Sequence, residues 1–313
     1  MTSPQEHGKN ESVPKHPNEV VERYRVDDGR RFRLDRFDPD DTAGHGKRFK
    51  EKAKTLLAEG VEQLSELQDK LYAQDRWALL LIFQAMDAAG KDGTIKHVFS
   101  GVNPQGCEVC SFKVPSEQEL DHDFLWRSSI RLPERGHIGI YNRSYYEEVL
   151  VVRVHPELIG RQHLPPELVG KRLWEKRYEE IRGYERHLHR NGTVVRKFFL
   201  HVSKAEQRRR FLERLEHPEK NWKFSEKDVA ERRYWKDYQR AYEDTIRATA
   251  TRDAPWYVIP ADNKWFTRLM VGAAVIDALQ SIDLAYPEPD PAKAKALAAA
   301  RRELTREERR KSK

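Results

Sequence analysis

A chain of 313 residues with 38% hydrophobic content can bury the core of one large domain or two small ones, and 35% charged residues with a formal net charge of +7 leave a surface tolerant of anionic partners. Its longest unbroken apolar runs, Trp77 to Phe83 and Leu269 to Ile276, fall far short of the ~20 residues that cross a bilayer, which excludes a membrane-spanning helix. Two cysteines, Cys107 and Cys110, are too few for a disulfide framework and read as reduced thiols in a cytoplasmic protein.

The opening MTSPQEHGKNESVPKHPNEV is polar, rich in Pro and without the apolar centre of a secretion signal. Residues 1–36 are therefore expected as a disordered tail, and residues 37–285 as the folded domain. From Phe49 the apolar residues Ala53, Leu56, Leu57, Val61, Leu64, Leu67 and Leu71 recur in steps of three and four, predicting an amphipathic helix. WALLLIF then has the continuous apolar character of a strand buried on both faces of a parallel sheet. CEVCSF reads as a second strand, on which residues three apart point to opposite faces, so Cys107 and Cys110 make a poor metal pair.

PSEQELDHDFLWRSSI opens with Ser116 and Glu119 as a capping box and predicts a helix. HIGIY is a short third strand, and SYYEEVLVVRV is a helix with Ser144 and Glu147 at its start. TVVRKFFLHV predicts a strand, SKAEQRRRFLERL a helix, Asp228 to Ala248 a long helix, PWYVIPA a strand and NKWFTRLMVGAAVIDAL a helix. Residues 286–313 should form a basic, Ala-rich helix or frayed tail. Strands alternating with helices imply an α/β fold with one mostly parallel sheet flanked by helices. His187 and His189, two apart on a helix, share no face and make no metal site.

The stretch LLLIFQAMDAAGKDGTIKHVF places a loop between the first long strand and its helix, at the carboxyl end of the sheet where ligands bind. Ala88, Ala89, Gly90 and Lys91 supply the backbone amides, helix start and lysine of a phosphate-binding loop. The usual GxxxxGK[ST] pattern would have Gly at position 85 and a hydroxyl residue at 92, where this chain has Ala85 and Asp92. Asp87 inside the loop would repel phosphates unless a metal lay between them, which argues for Mg²⁺ on oxygen ligands. A simple helix-capping carboxylate is the plainer alternative. Asn142 stands at the end of the neighbouring strand, where an acid usually orients the metal, and Arg143 beside it can bridge a phosphoryl group with two donors. Glu147 reads mostly as a cap.

The segments DAAGKDGTIKH, CSFKVPSEQE, FLWR, YNRSYYEEVLVVRVHP, KFFLHVSKAEQRRRFLERL, WKFSEKDVAER and APWYVIPADNKWF, in this order, resemble the polyphosphate kinase 2 family over roughly residues 37–284. Ala85 with Asn142 and Glu147 resembles the class III subgroup, associated with phosphorylating both AMP and ADP. The resemblance implies a P-loop nucleotide-kinase-like three-layer fold with a helical lid, placed at about residues 155–180. It implies reversible in-line transfer of a phosphoryl group from inorganic polyphosphate to AMP or ADP, giving ADP and ATP, with Mg²⁺ or Mn²⁺ as cofactor. Guanine nucleotides are a further candidate substrate, and a homo-oligomer is expected.

By matching position, the resemblance makes Asp87 the metal-associated acid and Lys91 and Arg143 the groups that hold phosphates in transfer. Ala88, Ala89, Gly90, Asp92, Gly93, Thr94, Asn142 and Glu147 complete the phosphate and nucleotide site, with Lys113, Arg127, Lys197 and Lys223 as outer phosphate contacts. Between Arg161 and Lys220 there are 16 Lys or Arg against 9 Asp or Glu, a basic stretch suited to an anionic polymer, most of it expected as solvated helix face. Two rivals remain: an ATP-dependent nucleoside monophosphate kinase, and a nucleic-acid-binding protein suggested by the pI near 9.2 and by WKDYQRAY.

Overall fold

The computed structural model describes residues 17–221 and 225–311. Its sheet contains β1 (Arg25–Val26), β2 (Ala78–Ala85), β3 (Cys107–Ser111), β4 (Ile138–Asn142), β5 (Thr193–His201) and β6 (Trp256–Pro260), in spatial order β1-β6-β5-β2-β4-β3. Every pairing is parallel except that of β1 with β6, where Arg25 lies opposite Tyr257. The strand β2 is central, in register with β4 on one side (Phe83 opposite Asn142) and β5 on the other (Phe83 opposite Phe198). The chain passes from β2 out to β3, back to β4, and then across to β5, so the connections leave β2 in opposite directions. That reversal opens a crevice at the carboxyl end of β2.

Alternation along β5 shows how both faces are covered. Arg196 donates to Ser281 Oγ just beyond the Lys264–Gln280 helix, whereas Lys197 donates to Glu185 on the Leu173–Arg190 helix. Phe198 stacks between Phe83 and Tyr257 on the first face, and Phe199 stacks on Tyr242 of the Trp235–Thr249 helix on the second. Helices Lys50–Gln74 and Lys264–Gln280 pack against each other. The Lys264–Gln280 helix is apolar nearly all round, consistent with its burial.

The segment from Pro17 belongs to this core, which corrects the expected tail over residues 1–36; residues 1–16 lie outside the described structure. Val21 is fully buried, Tyr24 packs edge-on against Phe266 and donates to Asp41, and Arg25–Val26 closes one sheet edge. Three expected helices are broken. The Ser116 capping box forms, but its helix ends at Leu120 and resumes at Trp126, with the Asp123 carboxylate accepting from the Leu125 amide between them. The helix expected from Asp228 is a short Glu226–Glu231 helix, a 3-10 turn over Arg232–Tyr234, and the Trp235–Thr249 helix. Ser144 caps a 3-10 turn at Tyr146 rather than an α-helix. Cys107 and Cys110 are free thiols.

Candidate active site

The loop after β2 is fixed from behind. Gly90 takes φ +102°, a left-handed conformation that a residue with a Cβ rarely adopts, and Ala88 has φ +60°. The Lys91–Val98 helix begins directly after Gly90. Arg210, 5% exposed on the Lys204–Glu216 helix, donates Nη1 to the carbonyls of Ala88 (3.0 Å) and Ala89 (2.8 Å) and Nη2 to that of Ala261 (2.6 Å). Gln207, one turn earlier, donates to the Asp87 carbonyl at 2.9 Å. Because each peptide is planar and trans, these carbonyls turn the amides of Ala88 and Gly90 away from Arg210 and Gln207. Such an amide pair beside a helix start receives an anion.

Over this loop stands the end of β4. The Arg143 amide donates to the Phe83 carbonyl, and the residue itself sits at φ +66°. Its guanidinium lies 3.4 Å from Asp87 Oδ1 and 3.6 Å from Glu147 Oε2, and Glu147 in turn accepts from buried Gln84 at 3.0 Å. Glu147 is thus held by a side chain at the end of β2, and the expected capping role gives way to one beside Arg143. The neighbouring Glu147 charge, joined by that of Asp87 and opposed by burial, leaves the Arg143 guanidinium even harder to deprotonate than usual. The Lys91 ammonium folds back to within 3.4 Å of the Ala85 carbonyl, and burial, then Arg143, lowers its pKa against the pull of Asp87, Glu147 and Asp92. An anion entering here would meet two cations that repel each other in its absence.

Asn142 donates to Asp92 at 2.7 Å, tying the end of β4 to the first turn of the loop helix. Gly93 shares that turn, while Thr94 is buried with its amide bonded to the Gly90 carbonyl. Lys113 lies exposed after β3, and its carbonyl accepts from Arg127. The Arg127 guanidinium also stacks over Phe112 and pairs with Glu119, so its contacts are internal to this corner. Lys197 is a correction to the expected phosphate contacts. It is completely buried, and its ammonium is bonded to Glu185 (2.7 Å), the Thr249 carbonyl (2.8 Å) and the Tyr146 hydroxyl (3.1 Å). Lys223 lies outside the described residues.

Sequence reasoning missed Arg210, Gln207 and Asp228. The first two share the inward face of their helix with Phe211, at spacings of three and four that the basic run Arg208-Arg209-Arg210 conceals. Asp228, on the Glu226–Glu231 helix, has its pKa raised by burial and then by the charge of Asp87, which brings a further carboxylate toward the loop. Among the described residues no three His, Cys, Asp or Glu side chains gather as a metal-binding cluster.

A parallel sheet ordered about a central strand, a loop that presents amides and a lysine after that strand, and an arginine at the end of the next strand define a P-loop kinase-like phosphotransferase fold. Residues 47–286 match the family model for polyphosphate kinase 2. The chain belongs to the polyphosphate kinase 2 family. It is 57% identical over 256 residues to an ADP-polyphosphate phosphotransferase of Rhodopseudomonas palustris, covering 82% of this chain and 89% of the relative. It is 48% identical over 277 residues to an AMP/ADP-polyphosphate phosphotransferase of Meiothermus ruber, covering 88% and 99%. The crystal structure of polyphosphate kinase 2 from Arthrobacter aurescens superposes with a TM-score of 0.80 at 40% identity, covering 91% of this chain and 97% of that one.

Proposed function

We propose that this protein moves a phosphoryl group reversibly between inorganic polyphosphate and adenine nucleotides, converting AMP to ADP and ADP to ATP. The observation that carries the reading is the juxtaposition of Asp87, Arg143 and Lys91 at a phosphate-type loop in a chain of this family. The attacking atom is a terminal phosphate oxygen, already anionic at neutral pH, so the site needs no general base. It must instead hold two polyanions in line and balance the charge on the group in transit. The amides of Ala88 and Gly90 would hold one phosphate. Lys91 and Arg143 would span the transferring group, released from Asp87 and Glu147 as it binds.

The donors suit Mg²⁺ or Mn²⁺. Asp87 offers a hard oxygen ligand, with no protein cage among the described residues, and Mg²⁺ commonly combines one or two carboxylates with phosphate oxygens and water. Bound there, the cation would supply charge neutralisation between the two substrates. The lid expected at about residues 155–180 would be confined to the turns Pro156–Arg161 and Pro166–Leu168, because the Leu173–Arg190 helix that follows is fixed in the core through Tyr178, Ile181 and Glu185. Guanine nucleotides as further acceptors, a homo-oligomeric assembly and a cytoplasmic location complete the reading. Among the described residues no helix is long and apolar enough to cross a membrane.

The test is to incubate purified protein with polyphosphate, AMP and Mg²⁺ in the absence of ATP and to follow nucleotides over time. ADP should appear first and ATP after it, and a chelator should stop both. Absence of product, or product only when ATP is added, overturns the proposal and favours an ATP-dependent monophosphate kinase.

A further inference from the structure

After Ala285 the chain runs through Pro287, Pro289 and Pro291 into a 21-residue helix, Pro291–Lys311. Every residue from Ala285 to Arg306 is exposed, and the family match ends at residue 286. The helix therefore adds nothing to the domain core and lies beyond the residues that match the family model. Its sequence carries 8 Lys or Arg against 3 Glu. Spacings of seven and four put Lys295, Arg302 and Arg306 on one face, and Leu297 and Leu304, seven apart, on roughly the opposite one.

The leucine face is too thin to explain the helix. A coiled-coil seam needs apolar residues alternating three and four apart over several heptads, yet between and beyond these leucines stand Ala300, Arg301, Glu307 and Glu308. A membrane-surface helix carries aromatics and a broad apolar face, and this one has no aromatic residue. What remains is a cationic stripe on a chain whose proposed substrate is a linear polymer bearing about one negative charge per unit.

We propose that the Pro291–Lys311 helix is a second docking surface for inorganic polyphosphate, holding a long chain on the enzyme while its end is consumed. The inference rests on the proposed function. The Lys264–Gln280 helix carries the chain about 25 Å back from the carboxyl end of β6, so the exposed helix starts at the opposite end of the sheet from the crevice and only a long polymer can touch both. Tethering makes re-engagement of the chain end intramolecular and raises its effective concentration without a new contact at the reacting phosphate.

The experiment compares the full chain, a chain ending at Ala285, and the triple variant Lys295→Gln, Arg302→Gln, Arg306→Gln. Each is assayed with polyphosphate of hundreds of units and of a few units, at low and high salt. Truncation should raise KM for the long polymer roughly tenfold, and the triple variant severalfold, with kcat, nucleotide KM and short-chain KM unchanged. Salt should erase the difference, because exposed charges are screened. Equal KM for the long polymer in all three proteins, or an equal rise for long and short polymers, overturns the inference. So does helix-dependent binding of single-stranded RNA or anionic vesicles with long-chain KM unmoved. Turnover of polyphosphate by the full chain keeps the proposed function standing whichever way the helix result falls, and its absence refutes that function independently.

Discussion

Arg210 Nη1 donates to the Ala89 carbonyl at 2.8 Å, linking the Lys204–Glu216 helix to the back of the phosphate loop. The same guanidinium donates to the Ala88, Ala261 and Asp262 carbonyls and, through Nε, to the Glu206 carboxylate at 2.7 Å. Its planar fork addresses several carbonyls at once, which an ammonium cannot do. Arg210→Ala should lower kcat/KM by roughly a hundredfold through loop misplacement, and should lower stability by about 3 kcal/mol because buried carbonyls lose charged donors. Steady-state kinetics with urea unfolding checks both. Arg210→Lys should recover part of the stability and little of the rate; wild-type rates in that variant would show that charge alone suffices.

Asp87 and Lys91 are half-buried and neither fills the apolar core, so their removal should affect chemistry more than folding. Asp87→Asn and Lys91→Ala should each cut turnover by about a thousandfold or more, the scale of losing a group that stabilises transition-state charge. Thermal unfolding should be almost unchanged. A wild-type rate in either variant would remove that residue from the site.

The pH dependence follows from Lys91. Burial and Arg143 lower its pKa below the usual 10.5, so in the free enzyme the ammonium is lost at a lower pH than for an exposed lysine. The alkaline limb of kcat/KM, which reports the free enzyme, should fall below 10.5. The limb of kcat should lie higher, because bound phosphates favour the charged form. Coincident limbs would contradict this placement of Lys91.

Lys197 and Glu185 form a buried pair, 2.7 Å apart, whose second carboxylate oxygen accepts from Tyr145 (2.9 Å) and Tyr146 (2.7 Å). Lys197→Met leaves Glu185 charged and buried, which should cost about 3–5 kcal/mol. Adding Glu185→Gln keeps an acceptor for the tyrosines and should recover part of that loss. KM for polyphosphate should stay unchanged in the folded fraction of either variant. A rise in KM without a loss of stability would restore Lys197 as a ligand contact.

His201, at the end of β5, is buried, and burial pulls its imidazole down to about 4. An ordinary histidine in the unfolded chain binds its proton near 6.5, so between these values the unfolded state holds more protons and stability rises with pH. The contribution is present above 6.5 and lost as pH falls through about 4, amounting to about 3 kcal/mol. Replacing His201 by Gln should flatten that part of the stability profile in urea titrations. An unchanged slope would assign acid sensitivity to other groups.

The strands were legible because a parallel sheet covered on both faces demands unbroken apolar runs, and WALLLIF and PWYVIPA are such runs. Asp87, Lys91 and Arg143 were legible because the loop and the end of β4 have a fixed place about the central strand. Lys197 misled because a cation in the basic stretch invites an anionic ligand, although its place within VVRKFFL already put it among buried neighbours. Glu147 misled because Ser144 three residues earlier imitates a capping box, while Gln84, which holds it, is far away in sequence. Burial of Val20, Val21, Tyr24 and Val26 was hidden because so short a segment has no periodicity to read.

The pairing of Arg25 with Tyr257 has a consequence for how the chain is made. On leaving the ribosome, β1 must wait for a partner encoded about 230 residues later, some ten to fifty seconds at ordinary elongation speeds. The central strand β2 waits as well, since β4 and β5 both follow it. Until then its row of leucines has no sheet to join, and a chain stalled in that interval carries an exposed apolar strand open to aggregation.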